Sequence, residues 1–392
     1  IFNPTLSLPY LREGIFEIKT MNKLPKGMQA ITDFDNCRQS PLPQQRLEAT
    51  RKAAQGFRER FMDEPQVLFY KSINLIRVPY PTWYGFSGVY AQSAYRFPLI
   101  HILNRLFVVQ YRDFAGEVKT LLFSPSDVDG NRETPFFKRL VNKLHLPQKA
   151  QDFMAPLYNT VESALASTGI QPAQVDYLSY DHLHTQDIRK WLGTGNNKGY
   201  FPNAKLLVHE QEWLSTGALL PCQADWYCPN GIAGVEAQKV ITFKGSIQLG
   251  RGVALVHSLG HTEGNHSLVA RVPDGIRVTS ENGIGADAYE PKNSTTNSVR
   301  RYAQSTGVEV ILNGNTLEGS NDQYISMVME KTIAGRSANP DYPNCASSSE
   351  STPYWLIPQQ KSSYLIGEAD FFFNDTATTD IYTHQALAKV RD

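Results

Sequence analysis

Histidines fall into two tight groups in this chain, and their types and spacing suit a metal site. His182 and His184 are separated by one residue and follow a short apolar run. His261 and His266 lie in a later turn that contains glycines. A single histidine is usually a structural residue. Ring nitrogens supplied by two loops can instead hold a metal and leave one coordination position open. A zinc ion held in this way lowers the pKa of a water toward about 7, which is the chemistry of hydrolysis.

The elements around these histidines are predicted to be alternating strands and helices. The runs Asn104–Arg112 and Val118–Phe123 predict a hairpin, and Pro135–Leu144 predicts a helix that begins at a proline. Further elements are expected later in the chain: helices over Leu47–Met62, Gln148–Ser167, Ser298–Thr306 and Asn321–Ala334, and apolar strands that include Val253–His257 and Val308–Leu312. This alternation favours sheets covered by helices.

The two histidine motifs together resemble those of the metallo-β-lactamase superfamily. That family's first motif is His-x-His-x-Asp-His after a strand, and this chain has His182-Leu-His184-Thr-Gln186-Asp187. The family's third motif is Gly-His-Thr-x-Gly, which the chain matches from Gly260 to Gly264. The resemblance covers residues 100 to 316 and implies the α/β fold of that family, a four-layer αββα sandwich, here with an N-terminal extension.

The chain departs from the family pattern at the positions that would hold a second metal. Gln186 stands where the family has Asp, Asp187 where it has His, Glu281 where it has the bridging Asp, and Asn315 where it has the last His. Neutral amides are poor cation ligands beside carboxylates and imidazoles. The resemblance therefore implies one secure metal position in this chain, with zinc as the favoured ion.

The resemblance assigns the secure position to the three histidines of the two motifs. His182, His184 and His261 would hold the metal, and Glu281 would be a fourth ligand or a catalytic base. Asp187 is a candidate for general base, since it lies three residues after His184. Its alternative role is to orient a ligand histidine.

In a second interpretation, residues at positions shifted from the family pattern form a second metal site. Asp187, Glu281 and His266 would supply its ligands, although His266 is also expected as a residue that only hydrogen-bonds its own loop. Fe²⁺ in place of zinc is a further alternative. Four residues are predicted to surround the ligands without binding metal: Gln186, Asn315, Asp181 and His257.

The resemblance implies an enzyme, a metal-dependent hydrolase that uses a metal-activated water on an ester, lactone, amide or thioester. Two alternatives stay open. Two histidines and one carboxylate on one face of a metal also make the ligand set of mononuclear non-haem iron oxygenases. The replacements at Gln186 and Asn315 would also fit a catalytically decayed protein that binds a ligand or partner. A small-molecule substrate is expected for either enzyme.

Composition narrows the classes of partner. The 392 residues carry 38 Lys and Arg against 38 Asp and Glu, so no net charge favours nucleic acid or an anionic membrane. Four cysteines in a chain of this length do not form a disulfide framework. No apolar run approaches the ~18 residues of a membrane span, and no signal-peptide pattern occurs at the N-terminus. These features predict a cytoplasmic protein.

Four segments are expected along the chain. They are an extension packed on the core over 1–95, a metallo-β-lactamase-like core over 96–320, a helix with an irregular segment over 321–370, and a non-native tail over 371–392. The tail is inferred because 374–383 resembles the translation of a sequencing-library adapter. The polar run 337–353 predicts a loop. The extension contains four aromatic residues, Tyr80, Trp83, Tyr84 and Phe86. They are expected either to pack on the core as buried apolar side chains or to line a substrate pocket.

Overall fold

The structure is a computed structural model that describes residues 24–86, 99–145, 147–195, 197–314, 319–352 and 362–366, with the side chains of Trp83 and Leu144 excepted. The strands are β1 Gln29–Ile31, β2 Phe69–Pro81, β3 Leu99–Arg112, β4 Val118–Phe123, β5 Tyr177–Ser179, β6 Gly193–Thr194, β7 Asn197–Lys198, β8 Lys205–His209, β9 Val240–Phe243, β10 Ser246–Gly250, β11 Val253–His257, β12 His266–Val272, β13 Gly275–Thr279, β14 Cys345–Ala346 and β15 Ser349–Thr352.

The helices are α1 Pro43–Met62, α2 Thr82–Gly85, α3 Val128–Asn131, α4 Pro135–Leu144, α5 Gln148–Met154, α6 Val161–Ala166, α7 Arg189–Leu192, α8 Glu210–Gly217, α9 Pro221–Ala224, α10 Ala286–Tyr289, α11 Asn297–Thr306 and α12 Ser320–Ala334. Short 3-10 helices cover Pro172–Gln174, Ala237–Lys239 and Pro291–Asn293. None of the helices in this described part of the chain has the length and apolarity needed to cross a membrane.

Two large sheets form the centre of the molecule. Sheet A has the strand order β1-β10-β11-β12-β13-β14. Sheet B has the order β15-β3-β4-β5-β8-β9, and β2 lies antiparallel along β3. Strands β4, β5, β8 and β9 of sheet B are parallel neighbours. Their carboxyl ends therefore share one edge of the sheet, where loops can meet.

Alternating side chains of the strands pack into three hydrophobic cores. In β11 of sheet A, Val253 and Leu255 face sheet B, whereas Ala254 and Val256 pack with α1 and α12. The strand β3 of sheet B alternates in the same way, with Phe107 and Val109 facing sheet A, and Leu106 and Val108 packing with α6. A period of two buries both faces of each sheet. The layers are therefore helix, sheet, sheet and helix, and the predicted four-layer αββα architecture is confirmed.

The described part of the N-terminal segment is built into both sheets. Strand β1 pairs with β10, and β2 pairs with β3 from Phe69 opposite Gln110 to Pro81 opposite Leu99. Helix α1 begins with a proline in its first turn, as helices favour. It buries an apolar stripe against sheet A and α12: Leu47, Ala54, Phe57 and Phe61. The prediction of a helix ending at Met62 is confirmed.

Two apolar segments differ from their predicted structure. The helix expected over Gln148–Ser167 is two helices, α5 and α6, with Pro156 in the loop between them. Proline has no amide hydrogen and its ring clashes with the preceding turn of a helix. The strand expected over Val308–Leu312 is absent from the described residues. Ile311 is buried but donates its amide hydrogen to Ala288 of α10 rather than to a neighbouring strand.

The polar run 337–353, expected as a loop, contains two strands instead. Strand β14 adds to β13 in sheet A, and β15 adds to β3 in sheet B. Strand β14 has only two residues and β15 is polar, so the sequence shows no apolar alternation there. Backbone hydrogen bonds to existing strands make both segments β-structure, and Ser347, Ser348 and Ser349 are buried.

Candidate metal centre

Three histidines converge from two loops at one edge of the sandwich. His182 and His184 lie on the loop after β5, and His261 lies on the loop between β11 and β12. One ligand-capable nitrogen of each lies within 4.8 Å of the others, and all three residues are buried. Their rings stand edge to face, with centroids 4.5–5.0 Å apart. The three residues are called the histidine triad below.

The spacing of the triad fits a tetrahedral metal. Nδ1 of His184 lies 3.3 Å from Nε2 of His261. Two nitrogens about 2.0–2.1 Å from one tetrahedral zinc are about 3.4 Å apart. Burial and the neighbouring His182 lower the pKa values of His184 and His261 well below normal, which favours the neutral form of these two rings. The residues present therefore fit a bound metal ion.

Asp181 orients the first histidine of the triad. Its Oδ1 accepts a hydrogen bond from the backbone N of His182 at 3.1 Å and lies 3.2 Å from the Nδ1 of that ring. Ser348, between β14 and β15, donates to the other carboxylate oxygen at 2.6 Å. Burial alone lowers the pKa of His182, but the Asp181 carboxylate raises it to about 9. A carboxylate on Nδ1 leaves Nε2 to face the metal position.

Glu281 lies at the same centre, two residues after β13 ends. One carboxylate oxygen of Glu281 is within 4.8 Å of ligand-capable atoms of Asp181 and His182. Burial raises the pKa of Glu281 to about 7, against the opposing charge of His182. Asn313 donates a side-chain hydrogen bond to the backbone oxygen of Glu281 at 3.2 Å. The sequence placed Glu281 here only through the family resemblance, and the structure brings it to the triad.

Asp187 has a different environment from the one expected of a ligand or base. Its two carboxylate oxygens accept hydrogen bonds from the Arg189 guanidinium at 2.9 and 2.5 Å. It belongs to neither group of metal-capable atoms in the described chain. Gln186, the preceding residue, lines the cavity described below, and Asn131 donates to its side-chain oxygen at 3.5 Å. Asp187 thus forms an ion pair with Arg189, two residues further along the chain.

The other two predicted histidines also lie apart from the triad's ligand groups in the described residues. His266 is buried with Nε2 2.9 Å from the hydroxyl of Ser179, and burial lowers its pKa to about 4. His257 stacks on His209 with ring centroids 3.9 Å apart, and its Nε2 lies 3.0 Å from the backbone oxygen of Glu263. Neither histidine belongs to a group of ligand-capable atoms in the part of the chain that the structure describes. Asn315, which was predicted to surround the ligands, lies outside the described residues.

The backbone of the first ligand loop is strained between the histidines and Gln186. Thr185 has a left-handed φ of 61°, which is unfavourable for a β-branched residue. Its amide donates to the backbone oxygen of Trp226 at 2.7 Å, and the amide of Gln186 closes a turn onto Leu183 at 3.2 Å. These hydrogen bonds hold the conformation in place. Strain of this kind concentrates at functional loops.

Glu212 is a residue that sequence reasoning missed. It lies on α8, is fully buried, and accepts hydrogen bonds from the backbone N of Leu183 at 2.7 Å and from the Thr262 hydroxyl at 2.6 Å. The Tyr227 hydroxyl donates to it at 3.1 Å. One carboxylate therefore ties together the two loops that carry the triad. An acidic residue in the first turn of a helix is ordinary, so the sequence carries no signal of this role.

A cavity of about 330 Å³ lies beside two of the three histidines. His182, His184 and Glu281 are among its lining residues. Its walls come from β2, β3, α4 and α5, and include Tyr80 and Tyr84 of the predicted aromatic set. Phe86 is buried in the core packed on sheet A instead. The side chain of Trp83 lies outside the described residues. The metal position is thus accessible to a small molecule through this cavity.

No model of a known protein family matches the chain. Among solved structures, it is similar to a "probable metal-dependent hydrolase" from Staphylococcus aureus, at 13% identity and a TM-score of 0.48 over 78% of this chain and 100% of the other. It is also similar to the hydrolase AbOPH of the beta lactamase superfamily, at 14% identity and 0.45 over 79% and 98%. A third is AidC, a dizinc quorum-quenching lactonase, at 11% and 0.44 over 78% and 100%. At these identities and scores, the similarity says nothing about substrate.

Proposed function

We propose that this chain, which has the metallo-β-lactamase fold, is a metal-dependent hydrolase of an ester, lactone, amide or thioester. The observation that carries the proposal is the convergence of His182, His184 and His261 at the end of a cavity, with nitrogen spacing that suits a tetrahedral ion. The triad would hold one metal, with zinc as the first candidate. When bound, such an ion supplies Lewis-acid chemistry and lowers the pKa of water.

Glu281 is the residue to which we assign the proton transfer. It lines the cavity beside the triad, and its pKa of about 7 suits a group that takes a proton at neutral pH and returns it. Its carboxylate would accept the proton of the attacking water and deliver it to the leaving group. Asp187 is assigned the anchoring of its loop through Arg189, because that ion pair occupies both of its oxygens.

We assign one metal to the site. The second group of ligand-capable atoms, Asp181, His182 and Glu281, shares His182 with the triad. Asp181 in that group is already engaged by the His182 ring and by Ser348. That group therefore does not make an independent site. Asp187 and His266, the other candidates for a second ion, have the separate partners described above.

Metal content of matched histidine variants tests the proposal. Protein purified without added metal should hold about one ion per chain by elemental analysis. His261→Ala should lose it, because a two-nitrogen remainder binds weakly. His257→Ala is the matched control and should keep it, since that ring stacks on His209. Two ions in the wild-type protein would contradict the single site, and equal metal in both variants would contradict the triad.

Activity supplies the second part of the test. Glu281→Gln should keep the metal and lower kcat about 10²–10⁴-fold on an activated ester, because it removes the proton acceptor. Unchanged kcat in this variant would remove Glu281 from the mechanism. Iron in place of zinc, together with oxygen consumption, would point to the oxygenase alternative.

A further inference from the structure

We propose that the substrate is an uncharged amphiphile, with an apolar acyl tail that fills the cavity and a scissile carbonyl that reaches the triad. This inference rests on the proposed hydrolase function and names its substrate class. The cavity is lined by His182, His184 and Glu281.

The cavity is lined by polar and apolar side chains. His182, His184 and Glu281 line it together with Ser349 and Asn313. Its apolar lining is aliphatic and aromatic and includes Ile76, Val78, Tyr84, Ile102, Leu140 and Met154, with polar residues such as Asn104, Asn131 and Gln151 among them. A ligand that contacts both kinds of side chain has a polar reacting group and an apolar remainder. Pockets of this build bind through apolar contact and orient through a few polar groups.

Charged side chains in the wall are already paired. Lys138 lies 2.5 Å from Glu133, and Arg132 lies 4.0 Å from Asp152. Both pairs are about half exposed, so each contributes little stability by itself. An ionic group in the tail would nevertheless find no unpaired opposite charge among Arg132, Glu133 and Lys138. The wall therefore favours an uncharged tail.

Exposed apolar side chains lie near the wall. Val141 of α4, which lines the cavity, is 42% exposed, and Phe153 of α5 and Leu157 of the loop after α5 are 60% and 51% exposed. Leu157 forms a β-bridge with Ile76, another wall residue. Exposed apolar groups beside a cavity favour contact with an apolar ligand.

The volume limits the size of the substrate. About 330 Å³ is near the lower end of small-molecule pockets, which span about 300–1,000 Å³. This volume suits a small molecule with a single tail. The substrate class that we propose is therefore an ester, lactone, amide or thioester with one apolar chain.

A series of p-nitrophenyl esters from acetate through butyrate to octanoate tests the tail. Used below their aggregation concentrations on the metal-loaded protein, they should show kcat/KM rising about three- to fourfold per added methylene until the cavity is full. Leu140→Asp should flatten this rise, because it places a charge in the apolar wall. The control Leu68→Asp, at a residue 55% exposed and outside the cavity, should leave the rise intact.

Binding of unreactive analogues separates this inference from the hydrolase proposal and from misfolding of the Leu140 variant. Methyl octyl ketone should bind the wild-type protein at least tenfold more tightly than methyl ethyl ketone in calorimetry. Preferential binding without hydrolysis of any ester would overturn the hydrolase and keep the tail site. Equal kcat/KM for all the esters, or equal binding of the two ketones, would overturn the tail site and leave the hydrolase standing.

Discussion

At the scale of residues, the triad depends on a carboxylate that never faces the cavity. Glu212 binds the backbone amide between His182 and His184 and the hydroxyl of Thr262, the residue after His261. Both loops lose freedom relative to each other through this one side chain. Groups that orient ligands in this way typically contribute about 10- to 100-fold in metal affinity.

Glu212→Gln should therefore weaken metal binding about 10- to 100-fold, because it removes the negative charge and one of the two oxygens that accept hydrogen bonds from Leu183, Tyr227 and Thr262. The readout is the metal dissociation constant from competition with a chelator. Glu210→Gln, on the same helix but paired with the surface residue Lys244, should leave that constant unchanged. A Glu212 variant with lower Tm and wild-type metal affinity would reduce this residue to a structural role.

At the scale of elements, the His261 loop and the first turn of α12 approach within contact distance. Gly260 has a left-handed φ of 147°, and a Cβ placed there would lie 2.2 Å from the Cα of Gln323. Gln323 in turn donates to the backbone oxygen of Asn282 at 2.8 Å. Asn282 accepts from the amide of His261 at 3.1 Å. The helix therefore helps to place the loop that carries the third ligand.

Gly260→Ala should destabilise the fold and release metal. Gly275, in the hairpin between β12 and β13, has a similar φ of 129° but nothing within 4 Å of the place that an added methyl group would take, so Gly275→Ala isolates the backbone cost. Each change should cost about 1–3 kcal/mol of unfolding free energy through φ. Gly260→Ala should cost about 1–3 kcal/mol more through the clash. Urea unfolding measures both, and equal losses would argue against close packing at Gly260.

At the scale of the whole molecule, a buried ion pair connects sheet B to the last described segment. Arg105 of β3 and Glu350 of β15 lie 3.8 Å apart with both side chains excluded from water. Arg105 also donates to the backbone oxygen of Ile366 at 2.6 Å. Burial raises the pKa of Glu350 to about 7 and lowers that of Arg105, with the partner charge opposing each shift.

The burial of this pair predicts that the free energy of unfolding depends on pH. The unfolded carboxyl titrates near 4.5, whereas the folded one titrates near 7, so the folded state binds the proton more tightly between these values. Its contribution to stability is therefore present below about pH 4.5 and is lost as the pH rises toward 7. Glu350→Gln should reduce the loss of unfolding free energy over this window by roughly 1–3 kcal/mol. Urea titrations at several pH values measure it.

A surface carboxylate provides the comparison for this experiment. Glu48 on α1 has a side chain 58% exposed, so Glu48→Gln should follow the wild-type dependence on pH. A Glu350→Gln curve that parallels the wild-type curve across the window would show that Glu350 titrates normally in the folded protein.

The layered fold and the triad could be predicted from local pattern. Apolar alternation in β3 and β11 is visible in the sequence because a strand exposes successive residues to opposite faces. His182 and His184 sit one residue apart, and His261 sits in a recognisable turn. The family resemblance joined these short motifs, and the contacts between them agree with it.

Only the tertiary structure shows which carboxylates contact the loops that carry the triad. Asp187 is adjacent in sequence but turns to Arg189, whereas Glu212 and Ser348 reach the ligand loops from distant elements. Even the closest pair of triad nitrogens joins residues 77 positions apart. Such contacts depend on how whole sheets and helices pack, because a buried polar side chain bonds whichever partner the packing brings within reach. Residue type and spacing determine the metal chemistry here, and packing determines the groups that orient it.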